Sequence, residues 1–134
     1  MLRIKVIKLF HCQLRFYKNT VGNKKAIAFD MITGKINFDK TKFMSGVRNK
    51  YHSKGNGGAC YFSQVTFINI SMSHFIFNEG ILGGAIFAIY PMQIRNSHIL
   101  LQQNLANVGG SIFIHKVDAY LAENCIILSN KARK

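Results

Sequence analysis

The chain has 134 residues, 49% of them hydrophobic and 11 of them Phe, so it can bury a core and is not a disordered tail. Its formal net charge of +13 is uneven: residues 1–54 hold 13 of the 18 Lys and Arg against Asp30 and Asp39, whereas residues 55–130 hold Arg95 and Lys116 against Glu79, Asp118 and Glu123. The longest apolar run, Ile81 to Met92, is 12 residues, short of the ~20 that a membrane-spanning helix needs.

The chain opens MLRIKVIKLFHCQLRFYK, in which Arg3, Lys5 and Lys8 interrupt the apolar residues. A secretory signal needs an unbroken apolar core of about 7–15 residues. The expectation is therefore a chain kept inside the cell, or a piece whose targeting segment lies elsewhere. Cys12, Cys60 and Cys125 form no CxxC and no metal-finger spacing, so they give neither a zinc site nor a disulfide framework.

Next come FYKN, ending at Asn19, and KKAIAF, beginning at Lys24. They read as a damaged first copy of a unit that is clear further on. There, GGACYF begins at Gly57, GGAIFA at Gly83 and GGSIFI at Gly109, equal steps of twenty-six. Asn78 and Asn104 stand five positions before the later glycine pairs, and Asn130 follows at the same step. Three positions before each Asn is Phe75, Leu101 or Ile127. The step from Lys24 to Gly57 exceeds this period by seven. The polar, Lys- and Gly-rich stretch around 35–56 is assigned to a loop insertion. Residues 1–54 are thus one or more divergent basic coils, and residues 55–134 are three regular repeats of a single piece.

Between the markers the pattern alternates with period two. In VTFINISMSHFIF, Ile68, Ile70 and Met72 alternate with Asn69, Ser71 and Ser73. That is a strand signal, and no 3.6-residue beat lasts long enough for a helix. A 26-residue unit of about three short strands and three bends predicts one coil of a parallel β-helix. Stacking then makes columns: Asn78, Asn104 and Asn130 form one, and Gly57-Gly58, Gly83-Gly84 and Gly109-Gly110 form another. Asn suits a bend because it tolerates left-handed backbone angles, and stacked amides can bond along the column. Gly permits a tight corner and close approach of coils. Ile27, Cys60, Ile86 and Ile112 are expected to face inward, which turns Ala28, Tyr61, Phe87 and Phe113 outward. A register slip of one residue would exchange the two sets.

The stretch FIFNEGILGGAIF, with FxxN followed closely by GGAI, resembles the repeat of chlamydial polymorphic outer membrane proteins. It is also similar to repeats of large ciliate and other protist surface proteins. The resemblance covers residues 55–134 and, more weakly, 14–29, with LQQN and ILSN replacing the Phe. It implies a right-handed parallel β-helix of the pectin-lyase-like class, here all-β with 4–5 coils of about 26 residues each. It further implies a membrane-associated or cell-surface module for adhesion or scaffolding. Such a module would be part of a larger solenoid that packs against further coils and contacts a host or self surface protein or glycan.

Enzymes exist on that fold, and their chemistry needs carboxylates in a cluster. None of the five acids stacks on another at a 26-residue step, which removes the cluster that calcium binding or glycosidic acid–base chemistry needs. His74 and His98, separated by two positions less than the period, could approach one another on adjacent coils. Each follows a Ser, but neighbours along a strand face opposite ways, which disfavours a nucleophile–base pair. Asn69-Ile70-Ser71 is a glycosylation acceptor if the chain is secreted. No catalytic residue, cofactor or metal is expected. The alternatives are a polyanion-binding protein using Lys and Arg of residues 1–54, or a degenerate carbohydrate-active protein. Against the first stands the bland reading, dispersed lysines that only solubilise outward strand positions.

Overall fold

The computed structural model describes residues 10–17, 20–21, 27–30, 33–44 and 56–133. Among them every regular element is a strand, and no helix long and apolar enough to cross a membrane is present. In chain order the strands are β1 (Phe10–Tyr17), β2 (Thr20–Val21), β3 (Ile27–Asp30), β4 (Thr33–Asp39), β5 (Lys42–Met44), β6 (Cys60–Ser63), β7 (Phe67–Ser71) and β8 (His74–Ile76). There follow β9 (Ile86–Ile89), β10 (Gln93–Ser97), β11 (Leu100–Gln102), β12 (Leu105–Ala106), β13 (Ile112–His115), β14 (Ala119–Glu123), β15 (Ile126–Leu128) and β16 (Lys131–Ala132).

The strands pair in parallel in short, separate sheets, with orders β1-β4-β7-β10-β14, β2-β5-β8-β11-β15, β3-β6-β9-β13 and β12-β16. Each repeat unit gives one strand to each of the three larger sheets in the same order; we term such a unit a rung. Register follows the sequence period. Ile94 faces Ile68 on one side and Tyr120 on the other, each one full period away. Adjacent strands of a sheet are ~4.8 Å apart, so equivalent residues of successive rungs lie over one another.

The alternation FINIS sends Ile68 and Ile70 inward and leaves Phe67, Asn69 and Ser71 half-buried on the other face. One main cluster unites the inward residues of all three sheets, including Ile36, Phe38, Phe43, Phe62, Ile68, Ile70, Phe75, Ile86 and Leu101. Burying one such side chain contributes about 1.5–3 kcal/mol. The rings interlock: Phe43 stacks on Phe75 at 4.7 Å, and Phe38 meets Phe43 edge-on at 5.2 Å. Cys60 and Ile86 belong to this cluster, with Ile112 packed against it. The side chain of Ile27 lies outside the described residues.

Three expectations need correction. The alternation Ile68, Ile70, Met72 stops one residue early: Ser73 is buried and Met72 is 48% exposed. The strand ends at Ser71, and Met72 takes a left-handed backbone (φ 43°) that reverses the phase. The stretch assigned to a loop around 35–56 begins as strand, because Lys35–Asp39 pairs with Phe67–Ser71 and Lys42–Met44 with His74–Ile76. Its alternation KINFD mirrors FINIS, and Ile36 and Phe38 are fully buried. Register localises the surplus. The span from Met44 to Cys60 is longer by six positions than the matching span from Ile76 to Ile86, so most of the insertion falls between Met44 and Cys60. The damaged glycine and Asn positions of the first copy, Lys24, Lys25 and Asn19, lie outside the described residues.

The third correction concerns which residue bends the chain. Left-handed backbones recur at Gln64, Tyr90 and Lys116, at Met72, His98 and Asn124, and at Phe77, Gln103 and Ser129, each set at the repeat period. The last set immediately precedes the Asn column, so Asn78, Asn104 and Asn130 are not themselves the left-handed residues. Each bend keeps the ladder whole. The N–H groups of Gln64, Met72 and Phe77 donate to the carbonyls of Ile89, Ser97 and Gln102 in the next rung at 2.9, 3.0 and 3.1 Å.

Candidate functional site

The Asn column is the most ordered polar feature of the described residues. Asn78 donates from both its backbone N–H and Nδ2 to Oδ1 of Asn104, at 3.0 and 2.9 Å. Asn104 does the same to Oδ1 of Asn130, at 2.9 and 2.8 Å. The remaining Nδ2 hydrogens of Asn78, Asn104 and Asn130 reach back one rung to the carbonyls of Phe43, Phe75 and Leu101, at 3.1, 2.9 and 2.8 Å. The apolar-x-x-Asn motif thus has a direct meaning: each Asn bonds the carbonyl of the apolar residue one rung earlier. Asn78 and Asn104 are fully buried, and a buried amide is tolerated only with its donors and acceptors met.

The two glycines of each pair serve different needs. Gly57, Gly83 and Gly109 have φ of +68°, +67° and +65°. A Cβ on Gly83 would also collide with the carbonyl of Ile86 within its own turn. The second glycine is required between rungs. A Cβ on Gly58 would run into the carbonyl oxygen of Gly84, and one on Gly84 into that of Gly110. At Gly110 the crowding comes from Lys131, with backbone carbon at 2.9 Å.

Just past this corner Tyr61, Phe87 and Phe113 form a stack on the face opposite the main core. Their ring centroids are 5.1 and 5.5 Å apart, with interplanar angles of 13° and 3°. Tyr61 and Phe87 are nonetheless buried, because Leu82 and Ile89 pack against them as a second, small cluster. The outward aromatics are therefore covered and offer no open aromatic surface at Tyr61 and Phe87.

The other outward face, on the five-stranded sheet with β7 and β10 at its middle, is mixed: Phe67 and Leu121 stand beside polar residues in the columns of Gln93 and Arg95. Asn69 Nδ2 donates to Asn37 Oδ1 at 3.3 Å, and Ser71 Oγ donates to Asp39 Oδ1 at 3.0 Å. Arg95 pairs with Glu123 at 3.2 Å with both side chains about half exposed, and Gln93 beside it is exposed. Such exposed pairs contribute ~0–1 kcal/mol, so this one adds little to stability. Asn69 of the glycosylation triplet sits within this sheet with its amide engaged by Asn37.

Among the described residues, chemistry-bearing side chains do not converge. Among the described residues no three of His, Cys, Asp and Glu are placed to hold a metal ion. Glu79 pairs with Arg133 at 3.5 Å, and Glu123 with Arg95. His74 and His98 line one shallow cavity of about 260 Å3 with Asn124, whose Nδ2 is 3.3 Å from His98 Nε2. His74 pairs in the sheet with Leu100, not with His98. Ser73 points inward, its Oγ donating to the Ser71 carbonyl at 2.7 Å and accepting from Thr41 N–H at 3.1 Å, away from the outward His74. Burial pushes the Cys60 thiol well above its ordinary value, which keeps it protonated and unreactive.

One polar group inside the core was not signalled by the repeat. Asn96 occupies the column of Phe38 and Ile70. Its Nδ2 donates to Tyr120 Oη at 3.1 Å, and its Oδ1 is buried without a partner. Partial burial raises the Tyr120 phenol above its ordinary value, the bond from Asn96 opposes that, and Cys125 adds to it. Only the alternation QIRNS, with Ile94 inward, places Asn96 inside; its residue type points the other way. No family model, curated protein or solved structure matches the chain.

Proposed function

We propose that the chain is a right-handed parallel β-helix module of 4–5 coils that acts without catalysis, as an adhesive or scaffolding element of a larger cell-surface protein. The observation that supports this best is the unbroken Asn78–Asn104–Asn130 ladder, held at one 26-residue step beside a glycine column at the same step. A stack whose polar groups hold rung on rung presents long, regular faces, with no three metal-ligating side chains converging among the described residues. The likeness of FxxN and GGAI to surface-protein repeats points the same way. The face that suits adhesion is the mixed polar and apolar one around Gln93 and Arg95, where side chains recur every ~4.8 Å across the strands. That spacing fits an extended polymer such as a glycan chain.

The test is retention of soluble neutral and acidic polysaccharides on beads carrying the chain, with a Gln93→Ala, Arg95→Glu double variant for comparison. Retention reduced about tenfold in the variant, the effect of losing one or two polar contacts, with no new reducing ends or unsaturated products, is the expected result. Cleavage of any polysaccharide overturns the non-catalytic reading; equal retention by both proteins moves adhesion to another face. The charge imbalance of residues 1–54 supports a second reading, a polyanion seat. Binding to heparin through it would fall steeply between 50 and 200 mM salt, and salt-independent or absent heparin binding removes it.

A further inference from the structure

The last rung repeats the sequence pattern of the earlier ones but not their burial. In the column Phe43, Phe75, Leu101, Ile127 the first three are fully buried and Ile127 is 61% exposed. In the column Ile36, Ile68, Ile94, Tyr120 exposure rises from 3% at Ile94 to 43% at Tyr120. All residues of β14 and β15 are exposed. The interior opens here into a cavity of about 460 Å3 lined by Ile112, Ile114, Tyr120, Ile127 and Asn130.

What fits this face is set by the interface one rung below it. Between the preceding rung and this one, β9, β10, β11 and β12 pair in parallel with β13, β14, β15 and β16. The ladder is directional: each Asn N–H donates onward to Oδ1 of the next Asn, so the N–H of Asn130 faces beyond the last rung. Arg133 N–H still bonds the carbonyl of Ala106 at 2.9 Å, so the backbone leaves along the path that Asn107 and Val108 take toward Gly109. We propose that this end face is the seat of one more rung of the same repeat, laid down in parallel after Lys134 at the same period. It would carry an Asn whose Oδ1 accepts from Asn130 and apolar side chains that close the cavity.

A second copy of this chain fits poorly. Two-fold apposition of the same face sets Asn130 N–H against Asn130 N–H and brings together Lys131, Arg133 and their mates. Head-to-tail stacking of copies would depend on concentration, which the test below reads. The inference rests on the β-helix reading above, and its test separates the two. A variant repeats residues 109–134 directly after Lys134, and amide exchange is compared with the parent chain. The expected result is exchange slowed about tenfold or more at those amides of β14 and β15 that point away from β10 and β11, the weight of one added hydrogen bond for each, and protection of the appended strands. Replacing the appended Asn by Ala should lessen both effects. Appended residues that exchange as free chain, while residues 60–102 stay protected, overturn the proposal and leave the fold reading standing. Loss of protection throughout residues 60–102 of the parent sinks the fold reading instead. Concentration-dependent protection of Ala119–Glu123 in the parent assigns the face to a second copy, which also overturns the proposal.

Discussion

Two kinds of left-handed corner occur in every regular rung, and they differ in what they demand. At Gly57, Gly83 and Gly109 the φ is +65° to +68°; at Met72, Phe77, Tyr90 and their mates it is +43° to +56°. The backbone conformations are close, yet glycine is present at only one corner. The difference lies in where a Cβ would point. At the glycine corner it meets backbone of the same turn, and at the following glycine it meets the carbonyl of the next rung. At the other corners the side chain leaves the stack: Phe77 is 53% exposed and Met72 and Tyr90 are nearly as open. Left-handed backbone alone costs an L-residue roughly 1–2 kcal/mol, which a well-packed rung can absorb. A Cβ placed on a neighbouring carbonyl cannot be absorbed without moving the rung.

This contrast can be broken at its strong side first. Gly84→Val forces β-branched atoms onto the Gly110 carbonyl, and the expected loss is about 4 kcal/mol or more, read as a collapse of the urea midpoint. Asn104→Ala is next. It removes the acceptor for Asn78 N–H and the donor to the Phe75 carbonyl in a fully buried site, for an expected loss of about 2–4 kcal/mol in the same measurement. The smallest effect has the opposite sign. Phe77→Asn keeps the exposed left-handed corner and relieves its backbone, so stability should rise by about 0.5–1 kcal/mol. A loss there would mean that the Phe77 ring is held by contacts and that the corner is not merely tolerated.

The same contrast explains what could be read in the sequence. Gly57, Gly83 and Gly109 and their partners stand out because steric demand leaves one residue type. The Asn column stands out because a buried amide with fixed bonds leaves one residue type as well, although the bend itself falls one residue earlier than the motif suggests. The remaining corners accept Gln, Tyr, Lys, Met, His, Asn, Phe or Ser, so no residue type marks them, and alternation alone puts Met72 on the wrong side. KINFD looks like a loop because Lys35, Asn37 and Asp39 dominate its composition; its period-two alternation, which sets Ile36 and Phe38 inside, is the better guide. Asn96 is easily missed because its residue type argues for the outside while the alternation QIRNS sets it inside. The choice between inward Ile and inward aromatic depends on phase, and the chain satisfies both sets in separate clusters. No motif in the sequence points to the face around Arg95, since its members are ordinary surface residues whose alignment exists only after folding.

The directional amide ladder has a mechanical consequence. The backbone and Asn hydrogen bonds between rungs run along the stack, so tension applied from end to end loads successive rung interfaces in series rather than in shear. The weakest interface then yields alone. Among the described rungs the last is the most exposed, at β14 and β15. Peeled away, it would release its whole length of chain before the next interface feels the load.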